Sequence, residues 1–196
     1  MPQSDWPAGL TSAIAAEMRR YRLSRKYSAK ELADRCVKLG LPVSRSTLAD
    51  LENGRRASLT VPELLIIARA LDVPPVQLVY PVGHVDAVEA LPGQNVPPWT
   101  AAKWLTGEDI ESGPQRPTDY FRRHDAAEAK VLQAEIGMTE GNGSAEIWQE
   151  ARERSIDRLL NIRKSMRQAG LLTPQLRPDL AKIEAERGQV NDATES

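Results

Sequence analysis

Apolar residues recur along the chain at the three- and four-residue spacing of helices, and caps and breakers divide the pattern into segments. Leu10, Ile14, Met18 and Tyr21 fall on one stripe and predict a first helix, with Thr11 or Ser12 as its cap. The second start is better marked. Ser28 and Glu31 form a capping box, and Tyr27 and Leu32 flank it as a hydrophobic staple. Leu32, Ala33, Cys36 and Leu39 supply the buried face, and Gly40-Leu41-Pro42 stops the helix, which is expected over 28–39. A third helix starts at Ser44, stapled by Val43 and Leu48, and ends at Asn53-Gly54, where both residues tolerate positive φ. Leu48 and Leu51 face inward, and Arg45, Ser46, Ala49 and Asp50 form a polar outer face. The fourth starts at Thr60, with Glu63 completing a box and Pro62 tolerated in the first turn. Leu64, Leu65, Ile67, Ala68 and Leu71 leave almost no polar face, which predicts a central buried helix. Val73-Pro74-Pro75 ends it, and 76–80 forms a last short turn.

The pattern then changes. Residues 81–117 hold six prolines and four glycines, yet Val85, Val88, Leu91, Val96, Trp99, Trp104 and Leu105 are too apolar for a free linker. An extended segment, a Pro92-Gly93 turn and a short helix capped by Thr100 are expected. Trp99 and Trp104 would staple that helix and pack onto the neighbouring domains, and Gly107 would end it. Two long helical patterns follow. The first, over 119–136, has Tyr120, Phe121, Ala127, Val131, Leu132 and Ile136 as candidate core. A glycine-rich loop over 137–144 joins it to the second, over 145–169. Ile147, Trp148, Ala151, Ile156, Leu159, Leu160, Ile162 and Met166 form the apolar face there. This antiparallel hairpin needs a partner for its apolar face, and a second copy of the chain is one candidate. One more short helix over 179–187 and a disordered tail over 188–196 complete the pattern.

Composition narrows the classes. The 196 residues are 41% hydrophobic and 27% charged, ordinary values for a globular chain. No apolar run approaches the roughly 20 residues of a membrane-spanning helix, and no secretory signal is visible near the N-terminus. A single cysteine, Cys36, excludes an internal disulfide framework and fits a reducing compartment, so a cytoplasmic location is expected. Cys36 lies on the apolar stripe and reads as a buried, inert thiol. His84 and His124 lie too far apart, with too few cysteines, for a zinc finger or a His-rich metal site. No nucleophile–base pair or phosphate-binding glycine loop is visible. No enzyme, no cofactor and no metal are therefore expected. The net charge of −1 hides an asymmetry: residues 1–80 carry twelve Lys/Arg against eight Asp/Glu, and the remainder fourteen against nineteen. A basic stretch joined to an acidic remainder suits an anionic partner for one part only.

A short third helix held on a small core behind a capped second helix is a helix-turn-helix. Such a helix fits the major groove of B-DNA, about 12 Å wide, with residues near its N-terminus at base edges. Capped helix N-termini offer free N–H groups to phosphates. Arg22, Arg25, Lys26 and Lys30 on and before the second helix, Arg45 on the third, and Arg55 and Arg56 after it suit that task.

The stretch Ser44-Arg45-Ser46-Thr47-Leu48-Ala49-Asp50-Leu51-Glu52-Asn53-Gly54-Arg55-Arg56 resembles the recognition helix and following turn of Xre-type, lambda-repressor-like (Cro-like) regulators. Ser28, Glu31, Leu32 and Ala33 match the start of that family's second helix. The likeness continues through Leu64, Ile67-Ala68, Ala70-Leu71, Val73 and Leu78, covering about residues 10–80. The whole chain is also similar to regulators of actinobacterial type. The resemblance implies that Arg45 and Ser46 approach bases, that Asp50 lies at a DNA-reading position, and that Ser28 sets the second helix at a phosphate. Glu52 would tie the third helix to its surroundings, and Gly54 would supply the turn. The residues expected at the duplex are Ser28, Lys30, Ser44, Arg45, Ser46, Thr47, Ala49, Asp50, Asn53, Arg55 and Arg56. Arg55 and Arg56 would contact phosphates, and Asp50 would either read a base or pair with one of these arginines. The sequence departs from the family's pattern at Ala29, often Gln there, and in a longer stretch between Ala33 and Ser44.

The expected fold is all-α: a five-helix lambda-repressor-like helix-turn-helix domain (1–80), a Pro/Trp-rich irregular connector (81–118), a C-terminal helical hairpin (119–172), and a short helix with a flexible tail (173–196). The expected function is a sequence-specific double-stranded DNA-binding transcriptional regulator, such as a repressor, acting as a homodimer. The alternative is an antitoxin-like or anti-regulator module that binds a protein partner through its C-terminal helices. No membrane is expected.

Overall fold

A computed structural model of the chain describes residues 5–108, 116–141 and 143–194, with side chains as far as residue 188. It divides into two compact units, Met1–Glu111 and Ser112–Ser196. Both are built mainly of helices. No helix of the described residues is long and apolar enough to cross a membrane.

The first unit opens with α1 (Trp6–Ser24), α2 (Ala29–Lys38), α3 (Arg45–Glu52), α4 (Val61–Ala70) and α5 (Pro75–Val79). The local signals of α2 and α4 are met in full. The Ser28 N–H donates to Glu31 Oε2 at 2.7 Å while the Glu31 N–H donates to Ser28 Oγ at 3.1 Å. Thr60 and Glu63 make the same reciprocal pair. Gly40 at φ 95° and Gly54 at φ 67° turn the chain after α2 and α3, in a region where a side chain would be strained. The first helix begins earlier than its stripe suggests. Asp5 is its N-cap and Pro7 lies in its first turn. Thr11 is inside the helix and donates its hydroxyl to the Pro7 carbonyl at 2.9 Å, so neither Thr11 nor Ser12 is the cap.

Met18, Leu32, Cys36, Leu48, Leu51, Ile67, Ala68, Leu71 and Leu78 form one core. α3 is too short to be stable alone, and α1 and α2 hold it. The fourth helix is not buried all round. Ile67 and Ala68 are covered, but Val61 is 68% and Leu65 50% exposed. The reason is its neighbours: α4 packs on α2 and α5, which cover one side only.

Residues past Tyr80 add a small satellite to this unit. β1 (Val88–Leu91) and β2 (Gln94–Val96) pair antiparallel around a turn at Gly93, and α6 (Pro98–Thr106) follows. Tyr80, Ala90, Ala101 and Ala102 form its core, and Trp6 Nε1 donates to the Glu89 carbonyl at 2.9 Å. Gly107 ends α6 in the left-handed conformation, as expected, but the N-cap is Pro97, not Thr100. Ala101 and Ala102 therefore take the inner face. Trp99 and Trp104, expected to pack inward on neighbouring domains, are 58% and 49% exposed. Residues 109–115 of the expected connector lie outside the described residues.

The second unit contains α7 (Pro117–Glu140), α8 (Ala145–Gln168) and α9 (Pro178–Thr194). The hairpin is present, but α7 runs through Gly137, where the sequence predicts the start of the loop. A Cβ at Gly137 would lie 2.5 Å from the Trp148 ring, so this glycine serves close helix–helix approach. The inward stripe of α7 is His124, Ala127, Val131, Ala134 and Gly137. Phe121, Leu132 and Ile136 on α7 and Ile147 on α8, expected in the core, are exposed. Leu176 and, from α9, Leu180 and Ile183 pack on the buried face of the hairpin, so the segment that follows α8 in the same chain supplies much of the partner that face requires. α9 also continues through Thr194 rather than stopping at 187, while residues 195–196 of the expected tail lie outside the described residues.

A buried network fastens α9 to the hairpin. Arg163 is 5% exposed and donates to both Glu184 carboxylate oxygens, to the Pro174 carbonyl and to the Thr173 hydroxyl. It also donates to His124 Nε2 at 3.2 Å. Arginine offers only donors, so Nε2 accepts and the imidazole proton sits on Nδ1. On the surface, Arg187 pairs with Glu153 and Asp157.

Candidate nucleic-acid interface

Ser44 has extended backbone geometry, and its Oγ accepts the Thr47 N–H at 3.0 Å. The same oxygen lies 2.7 Å from Ser46 Oγ and 2.9 Å from Thr47 Oγ1, so the hydroxyls of the first turn form one cluster. No acidic residue occupies the first turn of α3. The positive end of this helix therefore faces solvent without an internal anion. Arg45 and Ser46 are exposed there, Thr47 and Ala49 are half-buried, and Leu48 is fully covered. No hydrogen bond or ion pair engages the Arg45 guanidinium among the described residues.

The start of α2 is different. Ser28 and Lys30 are exposed, but the Glu31 carboxylate already sits at this N-terminus. The Ser28 backbone N–H bonded to it holds the Glu31 carboxyl below the ordinary range. The N-terminus of α2 thus carries one fixed negative charge, and that of α3 carries none.

Behind α3 the expected tie is present. Arg22 Nε and Nη2 donate to the two oxygens of Glu52, both at 2.7 Å, and Nη1 donates to the Tyr27 carbonyl at 2.8 Å. The Glu52 hydrogen bond pushes the Arg22 guanidinium further above its ordinary value. Glu52 thus has the structural role the motif implies. Arg22, one of the basic residues whose charge suits a duplex, is only 8% exposed and belongs to this network. The spacing offered a signal that reading by charge passes over: Arg22 continues the buried stripe of Ile14 and Met18 at intervals of four.

Past the helix, the Arg55 and Arg56 N–H groups both donate to the Asp50 carbonyl, which fixes the turn at Gly54. Arg55 Nε pairs with Asp50 Oδ1 at 2.8 Å, in the open, with side chains 64% and 43% exposed. Such a pair is weak and exchanges readily for another partner. Arg56 is more firmly held, donating to both Glu63 oxygens at 2.7 and 3.0 Å. Burial acts to raise the Glu63 carboxyl, but the Arg56 and Thr60 bonds outweigh it and hold the group below its ordinary value. Asn53 is the exposed C-cap of α3. Arg25 leans on the Tyr21 ring and donates to the Asp72 carbonyl, and Arg35 stacks on Tyr27.

Helix α2, a turn through Gly40, and α3 with its exposed N-terminal Arg45 follow one another in the first unit. Residues 18–78 match the helix-turn-helix family model. The match supports a DNA-binding regulator of the helix-turn-helix kind and runs from the middle of α1 into α5. No curated protein and no solved structure matches the chain. Within the helix-turn-helix domain, Ser44, Arg45 and Ser46 at the start of α3 and Asn53 and Arg55 after it are exposed, while Thr47, Ala49 and Asp50 are half-buried. Arg22 is withdrawn to the interior and Arg56 is committed to α4.

Proposed function

We propose that the chain is a sequence-specific double-stranded DNA-binding transcriptional regulator of the cytoplasm, with α3 as the helix laid in the major groove. The observation that carries this is the N-terminus of α3: capped by Ser44, free of acidic side chains, flanked by the unpaired Arg45, and held from behind by the Arg22–Glu52 bridge. Arg45 and Ser46 reach base edges, with Thr47, Ala49 and Asn53 along the same helix. Arg55 exchanges Asp50 for a phosphate, and Ser28, Lys30 and Ser44 flank the backbone. Arg56 acts indirectly, by fixing the turn. One module reads few base pairs, so two copies on half-sites about 34 Å apart are expected.

Selection of bound sequences from random duplex DNA tests this. A motif should emerge, with two-fold symmetry if a homodimer binds, and log K should fall by about 0.9 per contacted phosphate for each decade of salt. Arg45→Ala is expected to lower affinity for the selected site by about 1–3 kcal/mol and relax one base position. Equal weakening on every sequence would make Arg45 a phosphate residue. No enriched sequence would end the proposal.

A second reading has its own observation. Leu132, Ile136 and Ile147 are large apolar residues left exposed on the α7–α8 hairpin. They favour a protein-binding role for that unit, either with a second copy or with an antitoxin-type partner. Sedimentation of the pure chain separates the two, since only the first gives a dimer without any other protein.

A further inference from the structure

A groove of about 380 Å3 lies between α7 and α8, remote in sequence from the helix-turn-helix domain. Tyr120 and Arg123 line it from α7, and Arg154, Arg158, Asn161 and Ser165 from α8. The α8 positions recur at intervals of four, three and four, which places them on one face. Ile162, 4% exposed, forms the floor.

Among the described residues, most arginines of this unit are held in ion pairs, and two of the three along the groove are not. Arg152 and Arg177 pair with Glu135, Arg163 and Arg167 with Glu184, and Arg187 with Glu153 and Asp157. Arg123 and Arg158 have no ion pair among the described residues. Arg154 has only an open contact with Glu150 at 3.5 Å, both side chains about two-thirds exposed. The acid lining the groove, Asp157, shares the Arg187 guanidinium with Glu153. Three arginines therefore line a concavity whose own carboxylate is already engaged. Hydroxyl and amide groups stand beside them, and an apolar floor lies below.

We propose that this groove binds a small phosphorylated molecule. Arg123 and Arg158 take the phosphate oxygens, as planar guanidinium forks do. Asn161 and Ser165 supply further hydrogen bonds, and the Tyr120 ring and Ile162 lie against the organic part. The volume suits a ligand of nucleoside monophosphate or sugar phosphate size. Two unpaired arginines match the two negative charges of a phosphate monoester.

Isothermal titration of the full chain with adenosine monophosphate, glucose 6-phosphate and inorganic phosphate, at constant ionic strength, tests this. Saturable one-to-one binding of at least one probe is expected. Arg123→Gln with Arg158→Gln should weaken it by about tenfold for each guanidinium removed. Hydrogen exchange over α7 and α8 in that variant should stay as in the parent chain, showing that the fold persists. Arg45→Ala should bind the probe normally, which separates this site from any phosphate held by the helix-turn-helix domain. Binding of none of the probes overturns the proposal, as does unchanged binding by the double variant. It is equally overturned if the double variant loses duplex DNA while keeping the small phosphates, since the groove would then belong to the nucleic-acid backbone.

Discussion

Replacing Glu52 by alanine removes the acid that fixes α3 to α1, and the cost can be worked from the contacts. The Arg22 and Glu52 side chains are 10% and 9% exposed and share two short hydrogen bonds. Without Glu52, the Arg22 guanidinium keeps only the Tyr27 carbonyl. Removing one partner of a buried ion pair costs about 3–5 kcal/mol, because a charge is left desolvated and unpaired. The residual exposure lets water reach the site, so the lower end, about 3 kcal/mol, is expected. That is roughly a hundredfold rise in the unfolded fraction of the first unit. Because the chain has two units, the readout must be local. Hydrogen exchange followed by peptide analysis over 45–52 reports α3 directly, and urea titration supplies the magnitude. Replacing both partners with apolar residues, Arg22→Met with Glu52→Leu, should recover most of the loss. If Glu52→Ala shifts stability by less than about 0.5 kcal/mol, below the usual cost of a structural mutation, and α3 protection is unchanged, Leu48 and Leu51 alone hold the helix.

Three other outcomes follow from the same structure. Gly137→Ala should destabilise the second unit by about 1–3 kcal/mol, since its methyl group meets the Trp148 ring. Thermal unfolding measures this, and a stabilised variant would show that Trp148 moves aside freely. Cys36 is fully buried and its thiol is pushed up to about 11 by burial, so it should resist iodoacetamide in the folded chain and react only on unfolding. Fast labelling at neutral pH would contradict that burial. Glu63, Glu135 and Glu184 all lie below their ordinary value of 4.5: burial acts to raise them, and bonds to Arg56, to Arg177 and Arg152, and to Arg163 and Arg167 win. Between the folded and unfolded values the unfolded chain binds more protons, so this stability is present above about pH 4.5 and is lost as pH falls through the folded values. Urea midpoints should therefore hold steady from pH 7 to 5 and drop below it. A flat profile down to pH 3 would refute the role of these pairs.

The starts of α2, α3 and α4 were legible because a cap is a short-range device, with both partners within three residues. The start of α1 was not, because Thr11 satisfies itself on the carbonyl four residues back and so gives up its capping role. Gly137 read as a loop residue because its reason, the Trp148 ring, lies on the other helix. Arg22 read as a DNA contact because its partner is 30 residues away. The spacing of Leu65, Trp99, Leu132 and Ile136 along the chain points them inward, but burial depends on which elements arrive on each side.

Periodicity, capping boxes and the Ser44–Arg56 motif by themselves determined the five-helix order of the first 80 residues, the position of α3, and its likeness to a helix-turn-helix. Each depends on contacts within a turn or two of chain, where residue type and spacing suffice. The tertiary structure decided which basic residues remain available at that surface, through the Arg22–Glu52 and Arg56–Glu63 pairings. It also decided that α9 covers the hairpin, and that Arg123 and Arg158 line a groove without an ion pair among the described residues. These depend on long-range packing, which brings together charges and apolar faces from elements far apart in the chain.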